Sequence, residues 1–135
     1  MSQVYLKDRK ETAYDPVDCA ADLQDTLTRY VMNEKCIPKK WRFVVGIKLI
    51  EKVDELTDYV IAANETWAKG KTNMELRHKY WRAAYIACKQ LDRKLQRAKT
   101  NIDTVTPDSL KTVIELLAKE EGLLIHKIRS DKDMG

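Results

Sequence analysis

Glycine and proline are scarce in this sequence, which contains four and three of them in 135 residues. A sheet of many strands needs both residues at its turns, so their scarcity argues against an all-β fold and favours long helices. A chain of this length is sufficient for one domain with a substantial buried core. We therefore predict a single all-α domain.

Cysteine is scarce as well, and Cys19, Cys36 and Cys88 are far apart, with no Cys-x-x-Cys or Cys/His pairing. This spacing predicts neither a disulfide framework nor a zinc site, and it favours small buried thiols in a reducing compartment. The sequence also lacks a nucleophile elbow and a phosphate-binding glycine loop. We therefore predict no catalysis, no cofactor and no small-molecule substrate.

Long apolar runs are absent too, since no uninterrupted stretch approaches the roughly 18 residues of a membrane-spanning helix. The first residues, MSQVYLKDRKETAYD, contain no apolar segment of the kind found in signal peptides. We expect a soluble cytoplasmic protein without a membrane partner.

Apolar residues at helical spacing divide the chain into four predicted helices. Asp15 followed by Pro16 is typical of a helix start, and the first helix should end near Met32. Pro38 interrupts the pattern, so the second helix begins near Lys39. The predicted inward stripe of this helix is Phe43, Ile47, Ile50, Val53, Thr57, Val60, Asn64 and Trp67, and a second line through Val45, Leu49, Leu56 and Tyr59 widens it.

The third predicted helix covers residues 74–99, and a fourth follows Pro107. The connections between the helices are short, and short connections join antiparallel neighbours. The sequence therefore predicts an antiparallel up-and-down four-helix bundle over residues 15–129. Residues 1–14 are predicted to form a flexible arm and residues 130–135 a flexible tail.

The third predicted helix has three faces, of which Trp81, Tyr85 and Cys88 form the flank between the other two. An apolar arc is predicted to pack inside the protomer: Leu76, Tyr80, Ala83, Ala84, Ala87, Leu91 and Ala98. A basic arc lies roughly opposite: His78, Lys79, Arg82, Lys89, Arg93 and Arg97. Residues 69–99 carry ten Lys or Arg against Glu75 and Asp92. Because like charges concentrated in one segment repel one another, this distribution predicts an anionic partner.

A second basic group, Lys39, Lys40 and Arg42, stands beside Pro38 and next to the stackable ring of Trp41. Cations with nearby aromatic rings are typical of proteins that bind a phosphate backbone. The predicted nucleic-acid-binding residues are Lys39, Lys40, Arg42, His78, Lys79, Arg82, Lys89, Arg93 and Arg97.

Two other functions are weighed against nucleic-acid binding. The first is a protein-interaction bundle whose basic arc meets an acidic protein partner, with no nucleic-acid role. The second is a di-iron site, because Glu75 and His78 have the Glu-x-x-His spacing of ferritin-like bundles. His126 has Leu123 where a second such motif needs glutamate. No metal site is therefore predicted.

The run Ile37-Pro38-Lys39-Lys40-Trp41-Arg42-Phe43-Val44-Val45-Gly46, followed by Ala62-Ala63-Asn64 and a basic, aromatic third helix, resembles the accessory variability determinant proteins. This four-helix-bundle family accompanies the reverse transcriptase of diversity-generating retroelements and is related to the ribosomal-RNA intervening-sequence proteins. The similarity covers roughly residues 16–128. The matching residues are Pro38, Lys39, Lys40, Arg42, Phe43 and Asn64.

The resemblance implies a homopentameric barrel that binds the reverse transcriptase and the template-repeat RNA without any catalysis of its own. Such a barrel needs apolar contacts between its subunits, which the second helix and one flank of the third helix can offer. The predicted interface residues are Leu49, Leu56, Tyr59, Trp81, Tyr85 and Cys88. We therefore expect a non-catalytic accessory protein that oligomerises and supports mutagenic cDNA synthesis.

Overall fold

Four α-helices make up most of the chain in a computed structural model that describes residues 14–134. Their bounds are Pro16–Met32 for α1, Ile47–Glu65 for α2, Lys71–Asn101 for α3 and Lys111–Met134 for α4. Residues 14–134 contain no strand, so the all-α prediction is confirmed. No helix in this range is both long enough and apolar enough to cross a lipid bilayer.

Capping residues fix the start of α1. The Asp15 carboxylate accepts a hydrogen bond from the backbone N–H of Asp18 (2.8 Å), and Pro16 occupies the first helical position. Both features suit a helix start, where the backbone N–H groups have no partner within the helix. Apart from Tyr14, the predicted arm over residues 1–14 lies outside the described part of the chain.

Two unusual turns precede α2. A 3-10 turn at Lys39–Trp41 runs into a π turn at Arg42–Gly46, and α2 follows directly from it. Gly46 is buried against α1, where a Cβ atom would lie only 2.7 Å from Cγ1 of Val31. The absence of a Cβ atom therefore allows this turn to approach α1 closely.

The buried stripe of α2 begins at Gly46 and differs from the predicted stripe. The residues of α2 that face the core are Leu49, Val53, Leu56, Thr57, Val60 and Ala63. Phe43 is 77% exposed, Trp67 is 75% exposed and Asn64 is also exposed, so the prediction is wrong at these three positions. Apolar periodicity gives no weight to glycine, whereas Gly46 lies directly against Val31 of α1, a contact that constrains the rotation of α2.

The core side of α3 is rotated relative to the predicted apolar arc. Leu76 is 42% exposed, although it belongs to that arc. The helix also begins earlier than predicted, at Lys71, directly after Gly70, whose φ of +88° favours glycine. The buried residues of α3 are Trp81, Ala84, Ala87, Cys88, Leu91, Leu95 and Ala98.

Four of the six residues predicted at a subunit interface lie in the core of the protomer instead. They are Leu49, Leu56, Trp81 and Cys88, each at most 1% exposed. The prediction is wrong for these four because each helix packs against two neighbours, which cover a wider apolar surface than one neighbour would. The other two, Tyr59 and Tyr85, are half-buried.

The four helices pack in a ring. α1 packs against α2 and α4, and α3 packs against the same two helices. A polar contact joins each of these pairs: Gln24–Asp54 (2.6 Å), Lys52–Gln90 (2.7 Å), Lys89–Glu121 (3.3 Å) and the Cys19 thiol to the Leu116 carbonyl (3.5 Å).

A buried ion pair joins α3 to the end of α4. Arg77 Nε donates to Oδ2 of Asp131 (2.6 Å), and the Trp81 indole N–H donates to the same oxygen (2.8 Å). Arg77 Nη1 also donates to the carbonyl oxygens of Ala63 (3.3 Å) and Thr66 (3.1 Å), where α2 ends. One guanidinium therefore connects three helices.

The predicted flexible tail over residues 130–135 is wrong for residues 130–134, because α4 continues to Met134. Asp131 is only 4% exposed. Its partner Arg77 lies 54 residues earlier in the chain, so no local pattern distinguishes Asp131 from a tail residue.

A chain that ends at Arg129 should therefore be less stable than one that ends at Lys132. The shorter chain leaves the Arg77 guanidinium and the Trp81 indole N–H buried without their acceptor, which should cost about 3 kcal/mol. Urea denaturation followed by far-UV circular dichroism measures the difference. Equal midpoints for the two truncated chains would show that the ion pair does not stabilise the fold.

Candidate nucleic-acid interface

The side of α3 that faces away from the core carries a line of cations, which we call the α3 basic face. Its members are all exposed: Lys79, Arg82, Lys89, Arg93 and Arg97. At a rise of about 1.5 Å per residue, the line extends over about 27 Å of the helix. It is therefore long enough to contact several successive phosphates of a nucleic-acid strand.

Lys89 differs from the rest of the α3 basic face because a carboxylate already balances its charge. Its Nζ lies 3.3 Å from Oε2 of Glu121 on α4 and 5.4 Å from the centre of the Tyr85 ring. The Glu121 carboxylate is the main cause that raises the pKa of Lys89. Within the described part of the chain, no ion pair involves the other four members, Lys79, Arg82, Arg93 and Arg97.

A groove of about 420 Å³ lies beside the C-terminal half of α3, and we call it the α2–α3 groove. Among the described residues, those that line it include no carboxylate. Its cations come from both helices: Lys48, Lys52, Arg93, Lys94 and Arg97. Converging cations without a carboxylate among them make this groove the most strongly positive part of the candidate site.

A second groove, of about 930 Å³, borders the other end of the α3 basic face. It also contains the carboxylates of Glu75 and Asp131, so its charge is mixed. Its basic residues are Lys69, Lys71, His78, Lys79 and Arg82. The two grooves thus contain five of the six predicted cations of the third helix, and Lys89 lines neither of them.

Of the three predicted cations near Pro38, Lys39 and Lys40 are exposed in the 3-10 turn. Arg42 is half-buried, and its Nη2 lies 3.7 Å from Oε1 of Glu34. Its Nε atom is buried without a hydrogen-bond partner. Arg42 is therefore less available to a phosphate than the two lysines.

The aromatic rings are also placed differently from the prediction. Trp41 is half-buried and packs against the core, whereas Phe43 is 77% exposed. His78 is half-buried, and its Nδ1 atom has no hydrogen-bond partner. Phe43, rather than Trp41, therefore offers a ring on which a base could stack.

Sequence reasoning missed three cations of the α2–α3 groove: Lys48, Lys52 and Lys94. Lys48 and Lys52 are four residues apart and therefore on one side of α2. That spacing was a usable signal, but it does not reveal which side of α2 lies next to α3.

A buried cluster of two thiols and one carboxyl group lies in the core, at Cys19, Cys88 and Glu120. Burial raises the pKa of the Cys19 thiol to about 12 and that of the Cys88 thiol further still. Burial likewise raises the pKa of Glu120 to about 8. Neither carboxyl oxygen of Glu120 has a hydrogen-bond partner, and the nearby Cys19 thiol donates to the Leu116 carbonyl instead.

This cluster has little chemical reactivity at neutral pH. The thiolate is the nucleophilic and metal-binding form of cysteine, and both thiols are protonated and buried. Within the described residues, no group of three or more His, Cys, Asp or Glu side chains is arranged to hold a metal ion. The surface cations are therefore the stronger candidate site.

Comparison with protein-family models, with curated proteins and with solved structures finds no match to this chain. Its function is therefore inferred from its own side chains and from the resemblance of its sequence motifs.

The raised pKa of Glu120 predicts that the protein loses stability as the pH rises. Between about pH 4.5, the ordinary pKa of the group, and about pH 8, the folded protein keeps this proton, whereas the unfolded chain has released it. The free energy of unfolding should therefore fall across this range and level off above it. Glu120→Gln removes the titrating group, so its stability should vary much less with pH.

Urea denaturation at the two ends of that pH range tests this prediction. Glu115→Gln, at an exposed position on the same helix, is the matched control and should keep the pH dependence of the unmodified protein. If Glu120→Gln loses as much stability across this pH range as the control variant, the prediction is wrong.

Proposed function

We propose that this protein is a cytoplasmic, non-catalytic accessory protein that oligomerises and binds RNA and the reverse transcriptase of a diversity-generating retroelement. One observation carries the RNA-binding part of this proposal. Four cations of the α3 basic face, Lys79, Arg82, Arg93 and Arg97, have no ion-pair partner among the described residues. The phosphates of a strand supply repeated negative charge that such a line of cations can follow.

RNA is favoured over an acidic protein as the partner of these cations. Three of the four are arginines, at positions 82, 93 and 97. The planar guanidinium binds phosphates and carboxylates alike through two hydrogen bonds, but it also stacks on bases, which RNA offers and a carboxylate-rich surface does not. An acidic protein partner remains the alternative, and RNA-binding measurements on arginine variants distinguish the two.

The reverse transcriptase enters the proposal through the resemblance of the sequence motifs. Two residues that match the family are exposed: Phe43, which is aromatic and lies shortly before α2, and Asn64, which lies on α2. Exposure of a large aromatic residue suits contact with another protein. Lys39 and Lys40, which also match, are exposed beside Phe43 in the sequence.

We also propose that the four helices form an antiparallel up-and-down bundle. In the α1–α2 pair, Val31 lies close to Gly46 whereas the earlier Gln24 reaches the later Asp54. The other pairs follow the same reversed order. Between α2 and α3 the contacts are Ala63–Arg77 and Lys52–Gln90, and between α3 and α4 they are Arg77–Asp131 and Lys89–Glu121. Between α1 and the last part of the chain they are Cys19–Leu116 and Tyr30–Ser109. The short connection between α2 and α3, residues 66–70, supports this arrangement.

The oligomer should appear as a mass several times that of the 15.7 kDa protomer, and the resemblance implies five copies. Exposed apolar side chains near the α2–α3 turn, Trp67 (75%) and Leu76 (42%), are candidates for the contact. Trp67→Ser with Leu76→Ser should lower the mass measured by light scattering, whereas Met32→Ser should not. A protomer mass for the unmodified protein would contradict the oligomer.

Replacing Arg82, Arg93 and Arg97 with glutamine should weaken RNA binding without unfolding the protein, because these side chains are exposed. On single strands, log K plotted against log salt should become less steep by about 0.7 for each phosphate that the variant no longer neutralises. Fluorescence anisotropy with labelled RNA measures both the affinity and this slope.

The matched control replaces three exposed lysines that line neither groove, Lys99, Lys111 and Lys119, with glutamine. It removes the same charge and should reduce RNA affinity much less. Equal reductions in the two variants would contradict a site on α3. Binding of polyglutamate as tight as that of RNA would favour the acidic protein partner instead.

A further inference from the structure

Most of the positive charge in the α2–α3 groove is not neutralised by an ion pair. Of its five cations, only Lys52 forms an ion pair within the described part of the chain, with Glu55 at 2.7 Å. The other four lack such a partner: Lys48, Arg93, Lys94 and Arg97. A bound anion would relieve the repulsion among them.

The same groove has an apolar floor. Leu49 and Ala98 line it and are each only 1% exposed, Val45 is half-buried, and Val44 is 59% exposed. An apolar surface next to a group of cations fits a ligand that joins a flat ring to an anion. A nucleotide has both of these parts.

Phe43 adds an exposed aromatic ring close to the groove. It directly precedes the groove residue Val44 in the π turn and is 77% exposed. The backbone of this turn is anchored by the close approach of Gly46 to α1, so the core holds the turn in place. Rings on which bases stack, together with cations along the backbone, are typical of proteins that bind single strands.

We propose that the α2–α3 groove binds one nucleotide of a single-stranded RNA, with the phosphate among Lys48, Arg93 and Arg97 and the base between the apolar floor and the Phe43 ring. This inference rests on the proposed RNA-binding function and adds a preference for single strands. A volume of about 420 Å³ lies within the range of small-ligand sites. A duplex keeps its bases stacked inside and can offer the groove only its backbone.

Fluorescence anisotropy with a labelled single-stranded RNA and a duplex of the same length tests the preference. Phe43→Ser removes the ring, and Lys48→Gln with Lys94→Gln removes two charges of the groove. Phe43→Ser should weaken single-strand binding about tenfold and duplex binding much less, whereas the lysine variant, which removes contacts to a phosphate, should weaken both. Circular dichroism checks that the variants remain folded, which their exposed or half-buried positions favour.

The matched control, Lys99→Gln with Lys111→Gln, removes the same charge at exposed positions outside the groove and should leave the ratio of the two affinities unchanged. If Phe43→Ser weakens single-strand and duplex binding equally, nucleotide binding in the groove is wrong while RNA binding stands. If the unmodified protein binds no RNA at all, the proposed function fails and this inference fails with it.

Adenosine monophosphate distinguishes a strand from a free nucleotide. It should compete for the groove only at concentrations far above that of the RNA, because the strand also binds along the α3 basic face. If the free nucleotide binds as tightly as the single strand, the groove is a site for a small nucleotide and the single-strand proposal is wrong.

Discussion

The buried ion pair between Arg77 and Asp131 determines how α3 is presented to solvent. The Asp131 carboxylate also accepts the indole N–H of Trp81, and Arg77 reaches the carbonyl oxygens at the end of α2. Burying charges is unfavourable unless such hydrogen bonds compensate for the hydration given up, and here the guanidinium and the carboxylate each have several partners. Because Trp81 is held inward, the rotation of α3 is fixed and the next residue, Arg82, points outward with the rest of the α3 basic face.

The positions of the helices follow from local patterns in the sequence, whereas their rotations depend on distant contacts. Asp15 and Pro16 specify the start of α1 through groups only a few residues away. The rotation of α2 depends on the contact between Gly46 and Val31 of α1, and a pattern of apolar residues does not reveal that a glycine faces inward. Asp131 resembles part of a polar tail until its partner on α3 is known. Local chemistry thus predicts where helices lie, and packing decides which sides they bury.

The residues of the candidate site also divide into those that local periodicity predicts and those that depend on the packing of helices. Arg93 and Arg97 are four residues apart, so helical periodicity alone places them on one side of α3. Lys48 joins them in a groove only because α2 packs alongside α3, and a single-helix pattern contains no information on that pairing. Arg42 illustrates the opposite case, because it has the expected charge but is engaged by Glu34. Periodicity correctly predicts the exposed cations of the α3 basic face, while tertiary contacts decide which cations converge and which are already paired.

Unpaired charge is avoided in the interior of this protein and concentrated on its candidate binding surface. Inside, burial keeps Glu120 protonated, so the core avoids an unpaired charge. On the surface, like-charged pairs at a spacing of four residues, such as Arg93 with Arg97 and Lys48 with Lys52, each destabilise a helix by roughly 0.2–0.5 kcal/mol. A polyanion that bound only the folded protein would remove this repulsion and stabilise the fold through linkage. These cations therefore destabilise the free protein, and the binding of such a polyanion would offset their repulsion.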